Sequence, residues 1–407
     1  LKEETEQKEK ELLLEREIMK RYKEDEENRI ETEINKALKY KLDSYERLQT
    51  AKDNDITNLN NILLQREKEL IQIKEELRVK ELDIKNQIDS GVMDRIKLDR
   101  ESQDNKIKEK VYLAYPDWLV KKWELKFGFT ETLKLCRTLL MKNDMYIRLN
   151  VEKLNIEKMY SMLLKEKIDV AEHKDLKYFF KVNSGREKIL DNSLFKSGII
   201  SIQDPASGAV VNLLDLQKDE FILDACAAPG TKSLLMAQKV GVNGKIDACD
   251  KNPNRVFQGK KDVLRHNYKN IEWFVADASK EKFSLYNKIL IDAPCSGTGV
   301  IGRRPDIKWR LKEVDIKKMS VLQKKILANM SNYLEVGGKI VYSTCSLEKE
   351  ENEDVVNNFL AERKDFKLVV SNSLLPDNWI TSTGFMFAFP NNTNTDGLFA
   401  AVLQKVN

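Results

Sequence analysis

The chain has 407 residues, 41% of them hydrophobic, and carries 70 Lys/Arg against 66 Asp/Glu for a formal net charge of +4. That length suggests two or three domains with at least one large core. Five cysteines with no Cys-x-x-Cys pair and only two histidines argue against a disulfide framework and an ordinary structural zinc site, so free thiols, a reducing compartment and no metal are expected.

The first segment, residues 1–110, is a different material from the rest. It contains no Pro, its first Gly is Gly91, and it holds 25 Lys/Arg against 29 Asp/Glu, so the positive excess lies in residues 111–407. Ile56, Leu63, Leu70, Leu77 and Ile84 fall seven apart, with Leu59 and Ile73 on the second line of the same heptad, while Arg66, Lys80 and Gln87 interrupt that line. The spacing predicts long charged helices with a partial, weakly pairing coiled-coil seam, or else a lone solvated helix or a helical hairpin, serving as a spacer, a self-association arm or a docking arm. No apolar run approaches the roughly 20 residues that cross a bilayer, and the charged N-terminus does not read as a signal peptide, so a cytoplasmic protein without a membrane partner is expected. The first residue is Leu1 rather than Met, which leaves room for residues upstream.

Residues 111–215 read as a small α+β domain. Asp117 is placed to cap a helix containing Leu119, Val120, Trp123 and Phe127 and ending at Gly128. Residues 145–151 alternate like a strand, 152–167 read as a helix and 176–182 as a second strand. Over residues 216–407 apolar runs at 221–226, 245–249, 271–276, 288–292 and 339–343 alternate with helical stretches. That pattern predicts an α/β domain, a Rossmann-like parallel sheet with helices on both faces. Ligands in such sheets lie beyond the carboxyl ends of the strands, so the residues ending each strand should carry the chemistry.

Those ends are informative. The first strand runs into Cys226-Ala227-Ala228-Pro229-Gly230-Thr231-Lys232, small residues followed by a helix start, where backbone can approach a nucleotide-type ligand. It is neither a Walker loop nor a GxGxxG fingerprint. The second strand ends at Asp250, placed for ribose hydroxyls, and the third at Asp277, placed for an adenine amino group or else for capping a helix from Ala278. The fourth ends in Asp292-Ala293-Pro294-Cys295 and the fifth in Thr344-Cys345-Ser346. Either cysteine alone reads as a small buried hydrophobe; a pair at the cofactor edge does not. Ser346 could cap the helix holding Val355, Val356, Phe359 and Leu360, and a helix N-terminus beside Cys345 would favour thiolate. The cluster Arg303, Arg304, Lys308 and Arg310, with Trp309, follows the fourth strand and reads either as a phosphate grip or as a solvated loop.

The stretches DACAAPGTK, DAPCSGTGVIGRRPDIKW and YSTCSLEKEENEDVV together resemble the RNA 5-methylcytosine methyltransferases of the Sun, or RsmB, type that act on 16S ribosomal RNA. The similarity runs from about Tyr115 to the C-terminus and includes PDWLVKKW, SIQDPASG and TDGLFAAVL. It implies a Rossmann-like S-adenosylmethionine-dependent methyltransferase sheet, a small α+β RNA-binding domain, and RNA as partner. It implies Cys345 as nucleophile, Cys295 as helper in product release, and Asp292 at cytosine's ring nitrogen 3 and near the cofactor. Cys226, Ala227, Ala228, Pro229, Gly230, Thr231, Lys232, Asp250, Arg255 and Asp277 would bind S-adenosylmethionine, and Arg303, Arg304 and Lys308 would meet RNA. Thr231 stands where many members have a second Gly. Residues 1–110 do not look like the helical RNA-binding domain usual in bacterial members, which leaves a transfer-RNA substrate as the alternative. A coiled-coil scaffold that binds RNA without catalysis is a further alternative, disfavoured by retention of both cysteines and the cofactor acids.

Overall fold

The computed structural model describes residues 64–77, 115–141, 144–370 and 375–407, with isolated helical positions before residue 40. The chain forms two units, Leu1–Ser102 and Gln103–Asn407. In the first, residues 64–77 are helical, supported by side-chain pairs such as Arg66 with Glu69 at 3.1 Å. Leu70 and Ile73 of the heptad seam are more than half exposed on it, while Ile56, Leu59, Leu63 and Ile84 lie outside the described residues. Among the described residues no helix is long and apolar enough to cross a membrane.

The second unit starts with a helix pair. The helix Asp117–Phe127 stops at Gly128, whose φ of 81° lies in the left-handed region that glycine tolerates. Asp117 is its first residue rather than its cap: Pro116 holds the cap position, where a missing N–H costs nothing, and the carboxylate sits at the positive end of the helix dipole. A second helix, Phe129–Met141, follows at once. Leu119, Trp123, Leu135 and Leu139 of this pair are buried together with Ile301, Ile307 and Leu347, so the pair props up loops beyond the large sheet.

Four strands form a small antiparallel sheet: β1 (Tyr146–Leu149), β2 (Asp169–Glu172), β3 (Phe179–Ser184) and β4 (Ile200–Ile202), in the order β2-β3-β1-β4. The helix Ile156–Lys165 covers it, with Met159 and Leu163 buried against Ile147, Leu149 and Phe180.

The large sheet contains β5 (Phe221–Asp224), β6 (Lys245–Asp250), β7 (Ile271–Val275), β8 (Tyr286–Asp292), β9 (Leu334–Thr344), β10 (Phe366–Val369), β11 (Met386–Ala388) and β12 (Leu398–Lys405). Its order is β10-β12-β9-β8-β5-β6-β7, with β11 on β12. The five strands β5 to β9 are parallel to their neighbours, as expected; β10, β11 and β12 extend them as an antiparallel edge that sequence reading did not anticipate. Successive residues serve opposite faces: Ile222, Leu290 and Val341 enter one core, and Leu223, Ile289, Ile291, Ile340 and Tyr342 the other. Each fully buried aliphatic side chain contributes about 1.5–3 kcal/mol, which is why these strands read as unbroken apolar runs. The chain passes outward from β5 to β6 and β7, then returns to place β8 on the other side of β5. The crevice between the ends of β5 and β8 is therefore the switch point where a ligand binds.

Candidate active site

Beyond β5 the chain turns through Cys226–Gly230 into the helix Thr231–Val240. Gly230 has φ 110°, and a Cβ there would come within 2.9 Å of the Trp273 ring, so both backbone shape and space demand glycine. With no side-chain cap at Gly230, the first N–H groups of the helix remain available to a polar ligand. Asp224, which ends β5, is fully buried; it accepts the Ser233 hydroxyl at 2.6 Å, yet burial still pushes its carboxyl up to about 7.

The acids at neighbouring strand ends are held apart by cations. Asp250 pairs with Arg255 at 3.1 Å and accepts Asn252 N–H at 2.9 Å, while Arg255 also donates to Ala228 O, tying the acid to the loop. Asp277 accepts the Ser279 hydroxyl and N–H at 2.6 and 3.0 Å and pairs with Lys251 at 3.0 Å; the Ser279 bond above all, then Lys251, holds its carboxyl down at about 2 against a burial cost. A turn, not a helix, follows at Ala278, because Asp277 spends its oxygens on that turn.

Across the switch crevice Lys232 donates to Asp292 at 2.6 Å, and Ser343 donates to the other oxygen at 3.0 Å. Burial lowers the Lys232 ammonium's affinity for its proton, but Asp292 outweighs it and the net shift is upward. The ladder pairs Asp292 with Ser343, which brings the two loops that follow alongside each other, and the Sγ atoms of Cys295 and Cys345 lie 3.1 Å apart as free thiols. The bond to Cys345, with burial, pushes the Cys295 thiol well above its usual range.

One cavity of about 930 Å³ joins these groups: Cys226, Ala228, Asp250, Arg255, Asp277, Asp292, Cys295 and Cys345 all line it. Ala227 and Gly230 are buried behind the lining, and Pro229 is exposed.

Two expectations are corrected. The helix carrying Val355 and Phe359 does not begin until Glu353, with Asn352 at its cap position, so Ser346 is not its cap and its N-terminus does not follow Cys345 directly. The intervening turn takes its place because Ser346 donates to the buried Glu351 at 2.8 Å. Of the basic cluster, Arg304 and Arg310 line the cavity and both bind Asp306, with Trp309 69% exposed between them in sequence. Arg303 is instead committed to Asp204 at 2.6 Å and Asp396 at 3.1 Å, and Lys308 is buried against the Tyr115 ring; both face the protein. Sequence reading missed Glu351 altogether, since in the charged run LEKEENED nothing distinguishes a buried carboxylate from solvated neighbours.

A parallel sheet whose switch crevice carries a glycine-ended loop, two acids beyond neighbouring strands and a pair of thiols has the Rossmann-like fold of the S-adenosylmethionine-dependent methyltransferases. The chain belongs to the 16S rRNA methyltransferase RsmB/F family, whose model matches residues 211–404, while the family's ferredoxin-like domain matches residues 115–186. It is 33% identical over 299 residues to the probable ribosomal RNA small subunit methyltransferase B of Bacillus subtilis, covering 72% of this chain and 66% of that one. It is 31% identical over 329 residues to ribosomal RNA small subunit methyltransferase B of Pasteurella multocida, covering 78% and 71%. A methyltransferase homologue from Pyrococcus horikoshii has a crystal structure with a TM-score of 0.65 at 25% identity, covering 74% of this chain and 99% of that one.

Proposed function

We propose that this chain transfers a methyl group from S-adenosylmethionine to carbon 5 of a cytosine in RNA, with 16S ribosomal RNA as the substrate. The observation that carries this is the pair of sulfurs 3.1 Å apart in the same cavity as Asp250 and Asp277. The cavity suits S-adenosylmethionine: the carboxylates of Asp250 and Asp277 stand at neighbouring strand ends for ribose hydroxyls and the adenine amine, and the Cys226–Lys232 turn leaves helix N–H groups for polar atoms. Bound there, the cofactor supplies an electrophilic methyl group.

Carbon 5 of cytosine is too electron-poor to attack that methyl group until a nucleophile adds to carbon 6. Cys345 is that nucleophile, as the resemblance to the family implies, and its sulfur lines the cavity with Asp292, 3.1 Å from that of Cys295. Asp292, held by Lys232 and Ser343, faces nitrogen 3 and the exocyclic amine and accepts from that amine, and the Lys232 ammonium beside it offsets the charge that develops on the ring. After transfer, carbon 5 loses its proton, the carbon–sulfur bond breaks with its electron pair returning to Cys345, and the ring double bond is restored. Cys295, or a water it orients, assists that release.

The base must leave its stack to enter the cavity, which favours a loop or bulge. Arg304 and Arg310 meet the flanking phosphates and Trp309 stacks on a neighbouring base, while Arg303 and Lys308 hold the loop in shape. The charged segment of residues 1–110 serves as a self-association or docking arm, and the enzyme works in the cytoplasm. Incubating the protein with labelled S-adenosylmethionine and, separately, 16S ribosomal RNA or transfer RNA, followed by bisulfite sequencing, tests the reading. Label on a single 16S cytosine is expected; label on transfer RNA alone moves the substrate, and none on either RNA overturns the activity.

A further inference from the structure

The strand ladder brings Cys295 and Cys345 to the same level, but both lie beyond it, on loops that need another reason to hold their sulfurs together. That reason is a single buried carboxylate. Glu351 is fully buried and accepts three hydrogen bonds: from Ser296 N–H at 2.8 Å, from Gln323 Nε2 at 2.9 Å and from the Ser346 hydroxyl at 2.8 Å. Ser296 follows Cys295 and Ser346 follows Cys345, so two of the three donors are the next residue after a sulfur.

The tie is reinforced on every side. The Ser296 and Ser346 hydroxyls lie 3.1 Å apart, Gln323 also donates to Pro294 O at 2.9 Å, and Tyr342 donates to the Glu351 carbonyl at 2.6 Å. Among the described residues no Lys or Arg forms an ion pair with Glu351. A carboxylate buried without a cation is costly, and neutral donors alone compensate it here. Such an arrangement adds little to stability that an apolar residue would not; it does fix geometry.

We infer that Glu351 is a positioning residue whose carboxylate clamps the Ser296 and Ser346 ends of the two cysteine loops and thereby sets the spacing of the two sulfurs. This rests on the proposed two-thiol chemistry for its purpose, though not for its geometry. Catalytic groups need placement within about 0.5 Å, and a displacement of 1 Å costs about 100-fold in rate.

The test uses the full chain and a thiol assay without RNA, so its outcome is separate from that of the methylation reading. Diamide oxidises two adjacent thiols to a disulfide, each sulfur giving up a proton and an electron while the azo bond takes up both hydrogens. Wild-type protein should form the Cys295–Cys345 bond rapidly, read by mass spectrometry of peptides. Glu351→Ala should slow it about 10-fold and lower kcat for methylation about 100-fold, with KM for RNA and affinity for S-adenosylhomocysteine within about 3-fold. Glu351→Gln, which keeps a carbonyl acceptor, should recover most of both. A wild-type cross-linking rate in Glu351→Ala overturns the inference. If that variant fails to bind S-adenosylhomocysteine, Ser346→Ala removes one arm of the clamp alone; it must slow cross-linking too, and an unchanged rate there is equally fatal.

Discussion

On the cofactor wall of the cavity Asp250 and Asp277 are balanced by Arg255 and Lys251, whose side chains are 53% and 77% exposed, whereas on the cysteine wall Ser296, Thr298, Ser346, Glu351 and Asn352 are at most 5% exposed and satisfy one another. A long cation side chain that reaches through solvent can swing away from its acid cheaply, because water takes over its solvation. A buried polar group that loses its partner costs about 1–3 kcal/mol. The difference matches what each wall must do. In the proposed reaction a cofactor enters and leaves with every turnover, while two sulfurs meet one pyrimidine ring in the same place each time.

The largest effect expected from breaking this division lies on the rigid wall. Cys345→Ala should lower methyl transfer by more than about 1000-fold, because a covalent route has no substitute for its nucleophile. Cofactor affinity should change little, since the opposite wall is intact. Cys295→Ala should instead accumulate a protein–RNA adduct, seen as a band that migrates slowly in denaturing gels and disappears on RNase treatment. An active Cys345→Ala enzyme alongside a dead Cys295→Ala one would reverse the two roles.

The same contrast explains what could be read from the sequence. Parallel strands buried on both faces announce themselves as apolar runs, and an acid or a Pro-Cys step ending such a run stands out; hence β5 to β9 and Asp250, Asp277, Asp292, Cys295 and Cys345 were all legible. The supporting network was not. Glu348, which accepts Trp123 Nε1–H at 2.9 Å, and Glu351 sit fully buried inside a run that composition marks as solvated. Ser346 looked like a helix cap because serine commonly is one, and only tertiary contact with Glu351 redirects it. The helix Phe129–Met141 escaped notice because Gly128 signals a stop and no capping residue signals a fresh start.

A smaller effect is expected at Trp309, which is next in sequence to the cavity-lining Arg310. Trp309 exposes 69% of its surface, and so exposed a tryptophan has little to gain from the fold itself. Base stacking is worth about 1–3 kcal/mol, so Trp309→Ala should raise KM for RNA by roughly 5-fold to 100-fold while kcat and thermal stability stay near wild type. Steady-state kinetics on an RNA fragment containing the target cytosine measures this. A drop in kcat at unchanged KM would place Trp309 among the groups that act on the ring itself.

The last effect is read in stability rather than activity, and it extends the comparison from the cavity to the seam between the small sheet and the large one. His266 is buried, its Nδ1 2.8 Å from Asp262 O and its Nε2 2.7 Å from the Ser201 hydroxyl of β4. A carbonyl can only accept, so Nδ1 carries the proton and Nε2 accepts from serine: the ring is neutral. Burial foremost, with the neighbouring Arg265 and Arg148 adding to it, depresses the folded value to about 4, against about 6.5 for an unfolded histidine. Between those values the unfolded chain binds the extra proton, so stability is complete above pH 6.5 and declines as pH falls toward 4, by roughly 3 kcal/mol at the bottom of that window. Carboxylates elsewhere also respond to acid, and comparison with His266→Gln cancels them. Urea midpoints measured from pH 7.5 to 4.5 should fall more steeply for wild type than for the variant, and parallel curves would mean that the seam tolerates a charged ring, so that buried neutral networks fix geometry only where the chemistry requires it.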